Sequence, residues 1–251
     1  DLVSMHPRHG IMNIDVLSFA RLAYRVFEET GTKQMQVLDD EGKNLILRKI
    51  AGDYENKLTV LKGNIKKLGY ISEVKSVISE FTQYDIGEEE MDEMLDHLDE
   101  DSRLYYKLKD IRLLYEGFQD YLRERYITKE ELLDVLNSQV KESELLKNSV
   151  VVLDGFTGFT PVQNRLILEL MRCCKEVWVT VTMDERENPY AYKHPYQLFG
   201  LSKQMITTLV RMAGEDHIEV EEPVCLYGYP VKRFEKNQEL AFLERNIFRY
   251  G

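Results

Sequence analysis

The chain has 251 residues, a formal net charge of -11 at pH 7 and 43% hydrophobic residues, enough to bury the core of one large or two modest domains. It contains no apolar run of about eighteen residues, which excludes a membrane-spanning helix. Its cysteines, Cys173, Cys174 and Cys225, follow neither a disulfide framework nor a zinc pattern, so we expect a reducing, cytoplasmic setting. Because it starts at Asp1, we expect an excerpt of a longer protein.

A helix is predicted near the start of the chain. From Asp15 to Phe27, the residues Phe19, Leu22 and Val26 recur at three- and four-residue spacing, which is typical of an amphipathic helix. Gly31 follows as its expected C-terminal cap.

A long helical region follows this first helix. Apolar periodicity predicts helices at Asp39–Tyr54, Val74–Tyr84, Glu88–His97, Ser102–Tyr126 and Thr128–Val140. The last of these starts with a capping box, Thr128 to Glu131. We interpret residues 40–148 as an all-helical insertion that follows a first core segment at residues 1–39.

The negative charge is concentrated within this region. Residues 85–101 carry ten acids and no Lys or Arg, whereas the remaining 34 acids nearly balance the 33 bases. A calcium loop needs alternating oxygen ligands and a mid-loop glycine, but this run has Met91, Met94, Leu95 and Leu98 at helical spacing. It therefore indicates a solvated helix face, which we expect to repel DNA.

After Asn148 the pattern changes to strand, turn, helix and strand. Val150–Leu153 and Glu176–Thr182 are predicted as apolar strands on either side of a helix at Pro161–Cys173. Such alternation predicts an α/β fold with a parallel sheet covered on both faces, so residues 149–251 return to the core.

The last part of the chain contains a loop rich in aromatic residues and several short elements. The loop, Pro189–Tyr196, is predicted to pack as a lid on the sheet edge, with base stacking as the alternative. Further elements are predicted as a helix from Leu198 to Ala213, strands at Ile218–Val220 and Val224–Tyr227, and a final helix at Glu235–Tyr250 with Leu240, Leu243, Ile247 and Phe248 inward.

Asp154 ends the first of these strands, where nucleotide-handling α/β domains place a metal-binding carboxylate. In an ATP-hydrolysing motor a Glu that orients the attacking water normally comes next, but here the next residue is Gly155. A glycine-rich phosphate loop is also missing, and we interpret the Gly and Lys fragments at residues 31–33 and 42–44 as turns. His6 and His9 have Pro7 between them and no third ligand nearby. We therefore expect no catalytic residue and no metal site.

The order of these features resembles the AddB family, to which RexB-like proteins are close. The resemblance is carried by Ser18–Tyr24, by the helical stretch, by the Asp154-Gly-Phe-x-x-Phe159-x-Pro161-x-Gln163 pattern and by Phe242–Tyr250. AddB is the B subunit of the bacterial AddAB helicase-nuclease, a counterpart of RecBCD in processing DNA double-strand breaks. The resemblance implies a RecA-like core of the P-loop NTPase, superfamily 1 helicase type, interrupted by a helical 1B-type insertion.

The resemblance also implies a role and partners. It implies a subunit that has lost motor function and scans unwound DNA for the regulatory sequence Chi, while an AddA-type subunit in the same heterodimer supplies translocation. Single-stranded DNA and duplex ends are the implied ligands, with no membrane partner. The family's nuclease site and iron-sulfur cluster lie in a later region, so no cofactor is assigned to this chain. Magnesium and ATP remain possible only in the complete subunit.

Residue by residue, the resemblance places Phe19, Arg21 and Tyr24 against single-stranded DNA and Phe159 beside the same path. Arg21 is suited to grip a phosphate or a guanine edge, and the aromatic rings are suited to stack on bases. Asp154 is assigned a degenerate nucleotide and magnesium site. The alternative for the first three is a helix packed on the sheet with Arg21 at the surface.

Two other functions stay open. The chain fits part of an active superfamily 1 motor whose phosphate loop lies outside this sequence, although Gly155 argues against that. It also fits a scaffold whose acidic face docks the partner subunit.

Overall fold

The computed structural model describes residues 2–5, 7, 13–32, 36–65, 67–123, 125–184, 186–226 and 232–247. The chain is mixed α/β and mostly helical. It divides into a first unit, Asp1–Leu153 with Phe159–Val179, and a second unit, Asp154–Gly158 with Thr180–Gly251. His6, His9 and Phe248, which the sequence analysis considered, lie outside the described residues.

The first unit contains most of the regular structure. Its helices are α1 (Leu2–Met5), α2 (Phe19–Thr30), α3 (Asp40–Asp53), α4 (Leu68–Gln83), α5 (Glu88–Asp96), α6 (Arg103–Leu122), α7 (Glu131–Gln139), α8 (Glu144–Lys147) and α9 (Pro161–Cys173). Its strands are β1 (Gln36–Leu38), β2 (Tyr126–Thr128), β3 (Val150–Leu153) and β4 (Glu176–Val179). Among the described helices, none combines the length and the low charge that a membrane-spanning segment needs.

The strands form two small parallel sheets rather than one. β1 pairs with β2, with Val37 opposite Ile127, and β3 pairs with β4, with Leu153 opposite Val179. The prediction that the last helix before β2 extends to Tyr126 is therefore wrong. Three-residue strands are too short to show an alternating pattern, which explains why the sequence did not reveal β1 and β2.

Within the first unit, the β3–β4 sheet is covered on one face. Val151 and Val177 pack against the core, whereas Val150, Val152 and Trp178 are 51%, 58% and 50% exposed. Neighbouring strand residues point to opposite faces of a sheet, and within the first unit helices cover one of these faces. The predicted coverage of both faces is therefore not found within that unit.

The first core, which we call the helical core, is built by α3, α4, α5 and α6. It contains Leu47, Ile50, Ile71, Met91, Leu114 and Phe118, among others. Two charged side chains, Lys43 and Asp110, are buried in this region. Asp110 accepts hydrogen bonds from the backbone N–H groups of Thr59, Val60 and Leu61 at 2.8–3.1 Å, which fixes the segment between α3 and α4.

The acidic segment forms α5, so the predicted solvated helix is confirmed. Met91 is buried, while most of the acids face solvent. Arg112 of α6 holds α5 in place through ion pairs with Asp92 and with Glu88, the latter at 3.6 Å.

The second core, which we call the α2–α9 core, joins α2, α7, α8 and α9 with β2. Its buried residues are Ala23, Val26, Phe27, Ile127, Leu132, Leu136, Val140, Leu146, Leu166 and Leu170. Although α7 and α8 lie within the predicted insertion at 40–148, they share this core with α2 and α9. The domain boundary at residue 148 stays a prediction.

The second unit contains α10 (Gly200–Glu215) and α11 (Gln238–Asn246). Residues 218–220 and 224–226 form no strand, so the two strands predicted in this region are wrong. Tyr227, the last residue of the second predicted strand, lies outside the described residues. Leu240, Leu243 and Ile247 are exposed rather than inward, because Ala241 is the buried residue of α11.

The predicted lid is exposed at its C-terminal end. Tyr196 is 93% accessible to solvent, so this ring does not pack as the prediction required.

Candidate nucleic-acid interface

Helix α2 carries three of the four residues predicted to contact DNA. Ser18 caps it by accepting a hydrogen bond from the backbone N–H of Arg21 at 3.3 Å, and Gly31 ends it in the left-handed region at φ 69°, as predicted. Its buried side chains are Ala23, Val26 and Phe27. The opposite side of α2 therefore faces solvent.

The structure brings two of the three predicted residues to this outer side. Arg21 is exposed, and Tyr24 is 39% exposed with its ring edge-on to Phe27 at 6.4 Å between centroids. Phe19 is instead half-buried and packs against the α2–α9 core. Arg21 and Tyr24 lie three residues apart, which places them as neighbours on the helix surface.

Sequence reasoning missed Arg25, which is also exposed on α2. It lies four residues after Arg21, a spacing that places both guanidinium groups on one side of the helix and that was available as a signal. Arg25 forms an ion pair with Asp15 at 3.4 Å, with both side chains more than half exposed. Two guanidinium groups and a phenol ring thus share one exposed surface, which we call the α2 face (Arg21, Tyr24 and Arg25).

The chemistry of the α2 face suits a polyanion with exposed bases. Guanidinium groups donate paired hydrogen bonds to phosphate oxygens, and a tyrosine ring supplies a surface on which a base stacks. A base stacked on an aromatic side chain contributes about 1–3 kcal/mol.

Hydrogen bonds at the C-terminal end of α2 fix its position in the first unit. Glu29 accepts hydrogen bonds from the Ser143 hydroxyl at 2.5 Å and from the Leu145 backbone N–H at 2.8 Å. The hydrogen bond from Ser143 is the main cause that lowers the pKa of Glu29. Thr32 donates to Gln139 of α7 at 2.9 Å. The α2 face is therefore presented by an anchored helix.

Asp154 lies in a tight turn of the second unit. Its carboxylate accepts a hydrogen bond from the Thr180 hydroxyl, and the backbone N–H of Gly155 donates to the same hydroxyl oxygen at 3.3 Å. Gly155 has φ +79°, which an L-amino acid with a side chain rarely adopts. The turn therefore disfavours a Glu at position 155, where a motor places its water-orienting acid.

The residues around Asp154 do not fit a magnesium site by themselves. Among the described residues, no group of three or more His, Cys, Asp or Glu side chains is placed to hold a metal ion. Asp154 contributes one carboxylate, and that carboxylate is engaged by Thr180. The assignment of a degenerate nucleotide and magnesium site to Asp154 stays a prediction.

Phe159, the fourth predicted DNA contact, is half-buried in the first unit, shortly before α9. The next residue, Thr160, is the N-cap of α9, and Pro161 occupies its first turn as predicted. Gln163 accepts a hydrogen bond from the Thr160 backbone N–H at 2.9 Å and so completes a capping box. The Thr-x-x-Gln spacing was a signal for this structural role, which sequence reasoning missed.

Comparison with known proteins identifies one family, and the similar proteins described below share one name. The family model described as "ADDB, N-terminal" matches residues 1–244. A protein from Lachnoclostridium phytofermentans, named as the B subunit of an ATP-dependent helicase/deoxyribonuclease, is 42% identical over 257 residues, covering 100% of this chain and 22% of the relative. The proteins of the same name from Clostridium acetobutylicum and Caldanaerobacter subterraneus are 30% and 34% identical, covering 100% and 99% of this chain and 21% of each relative. The chain therefore spans about a fifth of the length of these curated relatives.

Proposed function

The chain belongs to the AddB N-terminal family, and from this premise we propose that it is a non-motor, DNA-contacting region in the B subunit of a helicase/deoxyribonuclease. The single observation that carries the proposal is the α2 face, where Arg21, Tyr24 and Arg25 are exposed together on an anchored helix. Its ligand in this proposal is single-stranded DNA, which offers both phosphates and unpaired bases.

The non-motor part of the proposal rests on the turn after β3. A working motor needs an acid that orients the attacking water, and Gly155 occupies that place with a backbone conformation that disfavours any side chain. The proposal therefore assigns no catalytic residue to this chain.

The proposal extends to fold and partners. The helix α9 connects the parallel strands β3 and β4, which supports a RecA-like core, and α3–α6 connect the parallel strands β1 and β2, which supports a helical insertion. The relatives are named as one subunit of a larger enzyme, which supports an AddA-type partner that supplies translocation. In this proposal the heterodimer processes duplex ends. The α2 face contacts the unwound strand and takes part in recognition of Chi.

Replacement of Arg21 tests the proposal directly. We expect Arg21→Ala to weaken binding of single-stranded DNA about tenfold, equivalent to about 1.4 kcal/mol, because one charge-assisted contact to phosphate is lost. The negative slope of the logarithm of affinity against the logarithm of salt concentration becomes less steep by about 0.7. Fluorescence anisotropy with a labelled oligonucleotide measures both quantities.

The matched control is Arg211→Ala, which removes an exposed arginine that is paired with Glu215 of the same helix at 2.8 Å. We expect its affinity to equal that of the unchanged chain. Equal affinity of Arg21→Ala and the unchanged chain at low salt rejects the assignment of Arg21.

A further inference from the structure

A second cationic surface lies between α3 and α6 of the first unit. A groove of about 320 Å³ runs between the two helices, and its lining includes Lys49, Tyr121, Arg123 and Arg125. None of these residues belongs to the α2 face. We call this surface the α3–α6 groove.

Gly117 of α6 allows α3 and α6 to approach closely at the groove. A Cβ atom at this position would come within 2.8 Å of the Tyr54 ring and 2.9 Å of the Ile50 side chain. Because both neighbours belong to the helical core or pack against it, a larger residue would separate the helices. The groove is therefore a fixed feature of the packing.

The tyrosine rings hold cations in place. Lys49 Nζ lies 5.1 Å and Arg125 Cζ 5.7 Å from the centroid of the Tyr121 ring, and Lys57 Nζ lies 4.6 Å from that of Tyr54. Within the described residues, Lys49 and Arg125 are exposed and form no ion pair with an acid. Stacking on a ring restricts a flexible cation without occupying its N–H donors.

The acids of the groove do not cancel this charge. Among the described residues of the lining, Asp120 is paired with Arg123 at 3.2 Å, and Asp53 is the other acid. The described lining thus holds three cations, Lys49, Arg123 and Arg125, against these two acids, which leaves a positive excess of one charge. Lys57 lies over the Tyr54 ring but is not part of the lining. In a chain of net charge -11, such an excess on one surface favours an anionic ligand there.

We infer that the α3–α6 groove binds the phosphate backbone of nucleic acid, as a second contact in addition to the α2 face. This inference rests on the proposed function. The target is phosphate rather than bases, because a cation lies over each of the two tyrosine rings, and a base stacking at that place would have to displace it. Contacts to phosphate carry no sequence information, so the groove binds different sequences equally well. It extends the footprint of the chain on DNA.

The test is a double variant of the whole 251-residue chain, Lys49→Gln with Arg125→Gln. A labelled single-stranded oligonucleotide of mixed sequence is titrated at several salt concentrations. We expect the affinity to fall about tenfold or more for every sequence tried. The negative salt slope becomes less steep by about 1.4, since two phosphate contacts to a single strand each contribute about 0.7.

Two controls accompany this variant. Arg103→Gln with Lys107→Gln removes two exposed cations near the other end of α6, more than about 20 Å along the helix from Tyr121, and leaves the affinity unchanged. Lys49→Arg with Arg125→Lys keeps both charges and retains most of the binding, which separates loss of charge from loss of folding.

The outcomes separate this inference from the proposed function. An unchanged affinity and salt slope in the double Gln variant, with binding weakened by Arg21→Ala, overturns the groove and leaves the proposed function standing. Weakened binding of the double Gln variant with an unchanged salt slope also overturns the inference about the groove, because the lost contact was then not to phosphate. The chain could instead bind polyglutamate and not DNA, in a manner that depends on Lys49 and Arg125. That result would make an acidic protein the ligand of the groove and would overturn the inference. A chain that binds no DNA at low salt overturns both proposals.

Discussion

The charged side chains of the helical core and those of the α2 face have opposite surroundings. Lys43 of α3 is 2% exposed and Asp110 of α6 is also 2% exposed, and each has its partners inside the protein. Arg21 and Arg25 of α2 are exposed, and the ion pair of Arg25 with Asp15 leaves both of its side chains more than half exposed. The buried charges of the helical core therefore stabilise the fold, whereas the exposed cations of the α2 face are accessible to a ligand.

Lys43 shows how a buried charge stabilises the fold. Its ammonium group donates to Glu130 at 2.7 Å and to the Ser79 hydroxyl at 3.1 Å, which links α3 to α4 and to the start of α7. Burial alone would raise the pKa of Glu130, but the hydrogen bond and the charge of Lys43 outweigh burial and lower it. The pair holds the helical core beside the α2–α9 core.

The largest expected effect is on stability. We predict that Lys43→Met lowers the free energy of unfolding by about 3 kcal/mol, because it leaves the Glu130 carboxylate, which is only 10% exposed, without its partner. Urea denaturation followed by circular dichroism measures this change. The folded fraction should bind DNA as the unchanged chain does.

The second variant of this series is Lys43→Met with Glu130→Leu, which replaces both charges by apolar groups. We expect it to recover most of the lost stability, since removal of both partners leaves no unpaired charge. A loss below about 1 kcal/mol in the single variant would show that water reaches this pair, and the contrast between buried and exposed charges would fail.

A smaller effect is expected at Glu29, which anchors α2. Its pKa is lowered in the folded state, so its contribution to stability is present above the ordinary glutamate pKa of about 4.3 and is lost as the pH falls through the lower, folded value. We predict that Glu29→Gln lowers the melting temperature at pH 7 by a few degrees. The effect corresponds to less than about 1 kcal/mol, because solvent screens this exposed group.

The measurement is a series of thermal melts from pH 7 to pH 3 on both chains. The two melting temperatures should converge below about pH 4, where protonation removes the advantage of the carboxylate. A difference that stays constant across this range would mean that the hydrogen bonds of Glu29 do not favour its charged form.

The sequence predicted the long elements with periodic apolar residues. It missed the short strands that form only by pairing between distant parts of the chain. The strand Val150–Leu153 and the helix Pro161–Cys173 were found at the predicted bounds, because an apolar run and a proline at the first turn are local signals. The helix predicted from Val74 begins earlier, at Leu68. The three-residue strands β1 and β2 depend on pairing across nearly ninety residues of chain, which leaves no local pattern.

At the candidate interface, the spacing of residues along α2 did not by itself show which side chains point into the core and which face solvent. Phe19, Arg21 and Tyr24 were grouped by the family resemblance, but the hydrophobic side of α2 takes Phe19 and leaves the other two exposed. Arg25 follows from the four-residue spacing once the orientation of the helix is known. The α3–α6 groove required the fold itself, since Lys49 and Tyr121 meet only when α3 packs on α6.

The most direct test of DNA contact at the α2 face is a map of where single-stranded DNA touches the chain. An oligonucleotide containing 5-iodouracil is photo-crosslinked to the 251-residue chain, and the modified peptides are identified by mass spectrometry. We predict a cross-link at Tyr24, within the tryptic peptide Leu22–Arg25 of α2. Cross-links elsewhere in the chain, with none at residues 19–25, would contradict the claim that the α2 face contacts DNA.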